Sequence, residues 1–362
     1  MTSAVCLVSG SLLISASLLG AQEKTYVGAQ ACRSCHPSQF SRQSDTGHAG
    51  ALHRATKHPL AARFAPEQLF ERPPNFQFEF LRTPEGLRVR ANDSKYVTEL
   101  PLEWAFGAGD HAVTFVSKVS NERYLEHAFT YYSDTKSFDI TPRHELLPGK
   151  TLHQAMGQPL KIRGSSSPIR ECFQCHSTGP VSVSAAGAIR VTEPGVHCEV
   201  CHGPGGAHVQ AVSRGDLGQA KTLIRTPKAL SAAELNRFCG TCHRFPGADG
   251  RTFEWNNPWN VRHQPPYFQQ SNCFQKSSGA LSCLTCHNPH EKVRRNDSAY
   301  YSQKCAACHS SDALPPRDVC KAPEAPDCTS CHMPNVAVSP HLKFKNHWIG
   351  VYLNGSAPKP SR

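Results

Sequence analysis

The sequence predicts a fold of short helices and loops over most of its length, with a small antiparallel β unit inserted near the N-terminal end. A five-residue motif, C-x-x-C-H, occurs seven times in 362 residues, and six of the copies lie beyond residue 170. The chain also contains 28 prolines and 25 glycines, which indicate many turns. Apolar residues make up only 39%, below the share of an ordinary globular domain, so a large side-chain core is not expected.

An apolar run opens the chain. Residues 4–20 contain no charged side chain, and small residues precede Gln22. This pattern predicts a signal peptide over residues 1–21 that is removed on export. Because no Lys or Arg precedes the run, an uncleaved anchor is the alternative. No other stretch is long and apolar enough to span a bilayer.

The first copy of the motif defines the next segment, residues 22–65. It consists of Cys32, Cys35 and His36. Two thiols at this spacing can each add to one vinyl group of a haem, and the adjacent imidazole can then bind the iron. Paired cysteines also ligate zinc, but a zinc ribbon has no use for a histidine fixed beside each second cysteine. The motif therefore predicts covalently attached haem c, seven in all.

The seven copies contain most of the 17 cysteines. The cysteines predicted to bind haem are Cys32, Cys35, Cys172, Cys175, Cys198, Cys201, Cys239, Cys242, Cys283, Cys286, Cys305, Cys308, Cys328 and Cys331. The predicted proximal iron ligands are His36, His176, His202, His243, His287, His309 and His332. Cys273 and Cys320 lie outside the motifs, and they are predicted to form a disulfide because exported proteins rarely keep free thiols.

Residues 70–145 are predicted to form the β unit. Apolar and polar residues alternate over residues 75–93 on both sides of a Thr-Pro-Glu-Gly turn, which is typical of a hairpin. The alternation continues to about residue 140, with a second turn at Ser120–Asn121–Glu122, so we expect four to six strands. The unit is expected to be a scaffold between the first haem and the rest, and docking of a partner is the alternative role.

Residues 150–362 contain six motifs and are predicted to be a hexahaem domain of short helices and turns. The formal charge of the chain is +11. Each oxidised haem with two imidazole ligands adds about one negative charge, so the net charge of the protein with its haems attached is expected to be about +4. Nucleic acid is therefore not an expected partner.

Thirteen histidines lie outside the motifs, enough for every iron to take a second imidazole. Two imidazoles on one iron must occupy opposite faces of the porphyrin. His290 follows His287 by three residues, a loop too short to pass round the ring, so His290 is expected to bind a neighbouring haem. The same argument applies to His208, which follows His202 by six residues. Ligation by two histidines predicts lower reduction potentials than ligation by histidine and methionine.

The chain resembles a group of bacterial multihaem c-type cytochromes. This group is related to the tetrahaem electron carriers of ammonia oxidisers, and more distantly to hydroxylamine oxidoreductase and pentahaem nitrite reductase. The likeness lies in the stretches YVGAQACRSCHPSQF, GHAGAL, CFQCHSTG, HCEVCHGPGGAHV, LSCLTCHNPH, DCTSCHMPN and FKNHWI. It implies the fold class of a multihaem cytochrome c, and it covers both ends and most of the C-terminal two-thirds.

The resemblance also implies distal iron ligands. These are His48, His208, His290 and His347, with His111 and His144 at positions similar to recurrent ones in the group. His53 completes a set of seven.

Three functions are compatible with this sequence. The first is electron transfer along closely packed haems with two histidine ligands each, and this hypothesis is favoured. The second is an oxidoreductase that acts on a small nitrogen or sulfur compound at one haem without a distal ligand. All seven motifs end in histidine, whereas the nitrite reductases use a lysine-bearing motif at the catalytic haem, and no tyrosine stands out as the cross-link of hydroxylamine oxidoreductase. The third is a haem subunit of a larger respiratory complex or an extracellular filament.

The predicted partners are redox proteins, either a quinol-oxidising membrane complex or a soluble electron carrier, and self-association is the other possibility. The predicted location is the periplasm or the cell surface, because haem of this type is attached outside the bacterial cytoplasm.

Overall fold

The computed structural model describes residues 25–64, 68–147, 149–164, 167–244, 253–309 and 327–352. The predicted signal peptide, residues 1–21, and Cys320 lie outside these ranges. No helix within the described ranges is long and apolar enough to cross a membrane.

Short helices carry the seven motifs. The helices are α1 (Ala29–Arg33), α2 (Pro37–Ser44), α3 (Leu152–Ala155), α4 (Pro168–His176), α5 (Cys198–His202), α6 (Gly206–Ser213), α7 (Leu217–Thr222), α8 (Ala232–His243), α9 (Gln264–Gln269), α10 (Asn272–Lys276), α11 (Cys283–Cys286), α12 (Ser298–Ala306) and α13 (Cys328–His332). Single 3₁₀ turns connect several of them.

The strands form antiparallel sheets only, as far as the described residues go. They are β1 (Leu52–Arg54), β2 (Leu69–Arg72), β3 (Phe76–Thr83), β4 (Gly86–Asn92), β5 (Val97–Pro101), β6 (Trp104–Phe106), β7 (Ala112–Lys118), β8 (Arg123–Tyr132), β9 (Ser137–Ile140), β10 (Gly157–Lys161), β11 (Ser177–Thr178), β12 (Ser182–Val183), β13 (Ile189–Arg190), β14 (Glu193–Pro194), β15 (Asn335–Ser339) and β16 (Leu342–Lys345).

Two sheets make up the β region, residues 52–161. The first has the order β2-β3-β4-β5, and its central hairpin is the one that the sequence predicts, with Phe80 opposite Val89. The second has the order β1-β6-β7-β8-β10, with β9 also paired to β8. The expectation of four to six strands was too low, because the stretch between residues 69 and 140 contains eight strands, β2 to β9. The strands β1 and β10 join the second sheet from outside that stretch.

Aromatic side chains fill the space between the two sheets. Phe78 and Phe80 alternate with exposed residues along β3, so one face of the strand is buried. Phe80 stacks on Phe138 at 3.7 Å between ring centroids and meets Phe129 edge-on at 4.8 Å. This cluster is the main hydrophobic core of the described chain.

A second apolar cluster joins the β region to the first motif-bearing helix of the C-terminal part. Phe173, between the two cysteines of α4, packs edge-on against Trp104 at 5.1 Å and against Phe106 at 5.1 Å. Leu52 and Ile169 are fully buried in the same cluster. The sheet therefore fixes the position of the motif at 172–176.

Candidate haem-binding sites

Each motif forms one turn of helix. Four copies end or constitute a helix, in α4, α5, α8 and α13. In the other three, the backbone N–H of the motif histidine donates to the carbonyl of the first cysteine, at 2.8 Å for His36, 3.0 Å for His287 and 2.9 Å for His309. A single turn thus presents two sulfurs and one imidazole as a unit.

The local sequence explains why these turns form. The Ser231 hydroxyl accepts the Glu234 N–H, and the Glu234 carboxylate accepts the Ser231 N–H, a capping box that starts α8. Asp327 caps α13 by accepting the N–H groups of Thr329 and Ser330. The caps supply the hydrogen bonds that the first turn of a helix lacks.

Four motif histidines face a histidine from elsewhere in the chain. Since metal–imidazole bonds are about 2 Å long, two imidazoles on opposite sides of one iron have ring centroids about 6 Å apart. The ring-centroid separations are 6.5 Å for His36 and His208, 6.0 Å for His48 and His243, 6.1 Å for His202 and His290, and 6.3 Å for His287 and His347. These separations fit one iron between the two rings of each pair.

In several imidazoles, Nδ1 is hydrogen-bonded to a backbone carbonyl oxygen and Nε2 is left available for a metal. Nδ1–H donates to a backbone carbonyl in His176 (Ala51, 3.0 Å), His202 (Arg225, 2.8 Å), His208 (Ala220, 2.8 Å), His332 (Gly350, 3.0 Å) and His347 (Lys345, 3.0 Å). A carbonyl can only accept, so Nδ1 carries the proton and Nε2 keeps its lone pair. That tautomer is the one that binds a metal through Nε2.

Desolvation favours the neutral form of five imidazoles at these sites. It lowers the pKa of His48 and of His347 to about 4, with nearby motif histidines acting in the same direction. Burial also lowers the pKa of His176, His243 and His287. Only a neutral imidazole can ligate iron, so these sites are ready for a metal at neutral pH.

Three motif histidines have no such counterpart among the residues that the structure describes. No second histidine ring lies at a comparable distance from His176, His309 or His332. The His176 ring instead meets Phe106 edge-on at 5.2 Å.

The remaining predicted distal ligands, His53, His111 and His144, do not face a motif histidine. The His53 ring lies edge-on to His58 at 5.0 Å. The Nε2 atoms of His53 and His111 are buried without a hydrogen-bond partner in the described part of the chain. His144 Nε2 lies 3.4 Å from a carboxylate oxygen of Glu126, inside the β region. Their role as ligands stays a prediction.

The sequence analysis did not single out His263. Its Nε2 is also buried and unpartnered among the described residues, and burial lowers its pKa to about 4. Nothing in the sequence around it marks a ligand, because the property comes from the surroundings of the folded side chain.

Cysteines of different motifs lie next to each other. The thiol of Cys198 raises the pKa of Cys32, Cys242 raises that of Cys175, and Cys239 raises that of Cys283, so these cysteines are close in space. Cys239 also raises the pKa of Cys201, and Cys286 and Cys328 raise the pKa of Cys305, each through its charge. The motifs that start at 32, 198, 239, 283, 305 and 328 therefore form a continuous series, and the motif at 172 adjoins the one at 239.

The predicted disulfide stays a prediction, since Cys320 lies outside the described residues. Cys273 is partly buried and lies near Cys286 and Cys308. Within the described ranges, no three or more His, Cys, Asp or Glu side chains gather as a site for a bare metal ion.

Comparisons with known proteins give a family model, a sequence relative and a solved structure. A family model described as "Cytochrome c554 and c-prime" matches residues 129–203, which include two motifs. The multihaem cytochrome MtrA of Shewanella baltica (strain OS185) is 25% identical over 186 residues, 44% of this chain and 51% of the relative, so the chain spans about half the length of that relative. The crystal structure of the outer cell wall cytochrome OcwA aligns with 90% of this chain and 79% of its own, at 15% identity and a TM-score of 0.49. The family and sequence matches support a multihaem c-type cytochrome with covalently bound haem c.

Proposed function

We propose that the protein transfers electrons along seven covalently attached haems, most of them held between two histidines. The observation that carries this proposal is the set of four histidine pairs at 6.0–6.5 Å. Histidine rings that merely share a core have no reason to keep this one separation four times, each time with one motif histidine and one from elsewhere.

The residues of the chain have three tasks in this proposal. The motif cysteines bind the haem edges, the motif histidines hold one face of the iron, and His48, His208, His290 and His347 hold the other face. Bound haem would supply a one-electron iron couple. Ligation of each iron by two imidazoles would favour a low reduction potential.

The contacts between motifs supply the path. Neighbouring motifs lie on helices that contact each other, α1 with α5, α8 with α11, α11 with α12 and α12 with α13. The haems attached to them would therefore lie close together, within the reach of electron transfer. The path would run through the motifs at 32, 198, 239, 283, 305 and 328, with the motif at 172 as a branch from the one at 239. The chain itself contributes the spacing by placing each motif on a short helix beside the next.

We also infer export to the periplasm or cell surface and exchange of electrons with a redox protein, either a quinol-oxidising membrane complex or a soluble carrier. The predicted segments, 22–65 with one haem, 70–145 as the β unit and 150–362 with six haems, stay a prediction.

The test is a haem count combined with electron paramagnetic resonance (EPR) of the oxidised protein, produced in a host that matures c-type cytochromes. The intact mass should correspond to seven haems, and the spectrum should be dominated by low-spin iron. A mass with no added haem, or high-spin iron at most sites, would overturn the proposal.

A specific observation also favours the second function at one site. Within the described chain no histidine faces His176, and one arginine, Arg244, acts on that ring electrostatically, while Glu126 and Glu171 act on Cys172. Arg244 acts electrostatically on Cys172 and Cys175, and the pKa of Arg262 is lowered to about 10 by burial and by neighbouring arginines. An open iron with guanidinium groups nearby would suit a small anion such as an oxyanion of nitrogen or sulfur. Binding of cyanide or nitric oxide to one haem in seven would support this function, and no binding would exclude it.

A further inference from the structure

One carboxylate lies buried inside a haem-binding motif. Glu199 is between Cys198 and Cys201 in α5, and it is only 3% exposed. Its oxygens accept three backbone N–H groups: Val27 at 3.0 Å, Gly28 at 2.8 Å and Gly205 at 2.7 Å. A carboxylate that accepts several backbone N–H groups is held rigidly by charge-assisted hydrogen bonds.

The donors belong to the two elements that form a single histidine pair. Gly28 precedes α1, which leads through Cys32 to His36, and Gly205 precedes α6, which contains His208. The first N–H groups of a helix have no hydrogen-bond partner within the helix. Glu199 accepts one such N–H group at the start of α1, from Gly28, and one at the start of α6, from Gly205. One side chain therefore ties both halves of the His36–His208 pair, 6.5 Å apart and inclined by 25°.

The same carboxylate lies at the contact between two motifs. The helix α1, which contains Cys32, contacts α5, which begins at Cys198, and Glu199 acts electrostatically on both sulfurs. Glu193 adds a second negative charge there, and its carboxylate accepts the N–H of Ala29 at 3.1 Å. The motifs at 32 and 198 thus meet around two carboxylates.

We propose that Glu199 is a positioning residue for the haem of the motif at 32–36. It fixes the spacing and angle of the His36–His208 pair, and it lowers the reduction potential of the haem iron held between these two imidazoles. This inference rests on the proposed function. Oxidised iron has one more positive charge than reduced iron, so a nearby carboxylate stabilises the oxidised form. Removal of the charge should therefore make this haem easier to reduce.

The experiment needs one haem resolved from the other six. In a His208→Met background, the haem between His36 and residue 208 should move to higher potential, because methionine ligation raises potential. Glu199→Gln is then added to the full-length, haem-loaded protein, and the separated one-electron wave is followed by spectroelectrochemistry. We expect the equilibrium constant for reduction of this haem to rise about tenfold, which is about 59 mV for one electron.

Two further variants separate positioning from simple folding. Glu199→Asp keeps the charge and should return the potential most of the way to that of the parent. Glu234→Gln removes an exposed carboxylate that caps α8, a matched change at a helix that leads to a different haem, and should leave this wave unchanged. EPR of Glu199→Gln in the otherwise native chain should show a changed low-spin signal for one haem only.

The outcomes discriminate between the two proposals. Seven haems with an unchanged wave in Glu199→Gln would overturn this inference and leave electron transfer intact. An unchanged potential in His208→Met would overturn the His36–His208 pairing and the inference with it. Should Glu199→Gln fail to load haem, Glu193→Gln preserves the three hydrogen bonds of Glu199 and should shift the wave upward by a smaller amount, and no shift would again overturn the inference.

Discussion

The β region, residues 52–161, and the motif region, residues 168–352, use different means to hold their chain together. In the β region, fully buried aromatic residues such as Phe78, Phe115 and Phe129 fill the space between two hydrogen-bonded sheets. In the described part of the motif region, buried apolar residues are few, and the largest separate cluster centres on Val261, Tyr267 and Trp348. The difference teaches that bound cofactors can supply the apolar core of a region whose helices are too short to form a core from side chains.

The strongest way to break this comparison is to withhold haem. The full chain made without the haem-attachment machinery should keep the β region protected from protease, since its core consists of side chains. The motif region should be cut at many sites, because it would lack most of its apolar core. Limited proteolysis with mass spectrometry, with the haem-loaded protein as control, measures this directly. Equal protection of both regions would refute the comparison.

The second test acts on the β region alone. Phe129 is fully buried and contacts Phe78, Phe80 and Phe115. Phe129→Ala should reduce the free energy of unfolding of the β region by about 3–5 kcal/mol through lost burial and the cavity left behind. Urea unfolding followed by far-ultraviolet circular dichroism should show the loss, while the haem absorbance responds less.

A matched control is Leu146→Ala, since Leu146 is 76% exposed and the change should stay within about 0.5 kcal/mol. If Phe129→Ala shifted the haem transition as much as the β transition, the two regions would unfold as one unit.

The third test concerns the angle between paired imidazoles. His202 and His290, both in the motif region, are inclined by 13°, whereas His48, from the segment before the β region, crosses His243 at 66°. Near-parallel imidazoles give rhombic low-spin EPR signals, and crossed imidazoles give a single feature at larger g. We expect His48→Met to remove a large-g feature and His290→Met to remove a rhombic one. Loss of the same signal in both variants would contradict these angles.

Local patterns predicted the parts of the fold that depend on neighbouring residues. The hairpin of β3 and β4 follows from alternation and from a turn at Pro84–Glu85. The pairing of Leu52 with Phe106, and of Gly157 with His127, was not predictable because β1 and β10 are short and do not alternate clearly. These strands join the sheet through tertiary contacts that leave no local signal.

The candidate sites divide in the same way. The motif chemistry is local, so the cysteines and the adjacent histidine could be named from spacing alone. The partner of each imidazole depends on the packing of distant segments: His48 and His243 are far apart in sequence but have ring centroids 6.0 Å apart. Within the described residues, His53, His111 and His144 do not lie opposite a motif histidine, so their role as ligands stays a prediction.

The smallest expected effect is at a contact between the two regions. His341, in the turn between β15 and β16, stacks on Tyr132 at 4.2 Å and lies 3.1 Å from a carboxylate oxygen of Asp134 and 2.9 Å from one of Asp139. The hydrogen bond to Asp139 and the charge of both carboxylates raise the pKa of His341 above its usual value of 6.5, since they favour the protonated ring.

A raised pKa means that the folded state binds the proton more tightly than the unfolded chain does. The stabilisation is therefore complete below pH 6.5 and is lost as the pH rises through the raised pKa of the folded state. Both carboxylates are about half exposed, so the contribution should be less than about 1 kcal/mol. The measurement is the thermal unfolding midpoint of the native protein and of His341→Gln between pH 5.5 and 8.5, a range of about three units around the histidine pKa. The difference between the unfolding midpoints of the native protein and of His341→Gln should be largest at acid pH and should shrink as the pH rises. A difference that grew with pH would contradict this ionic contact between the regions.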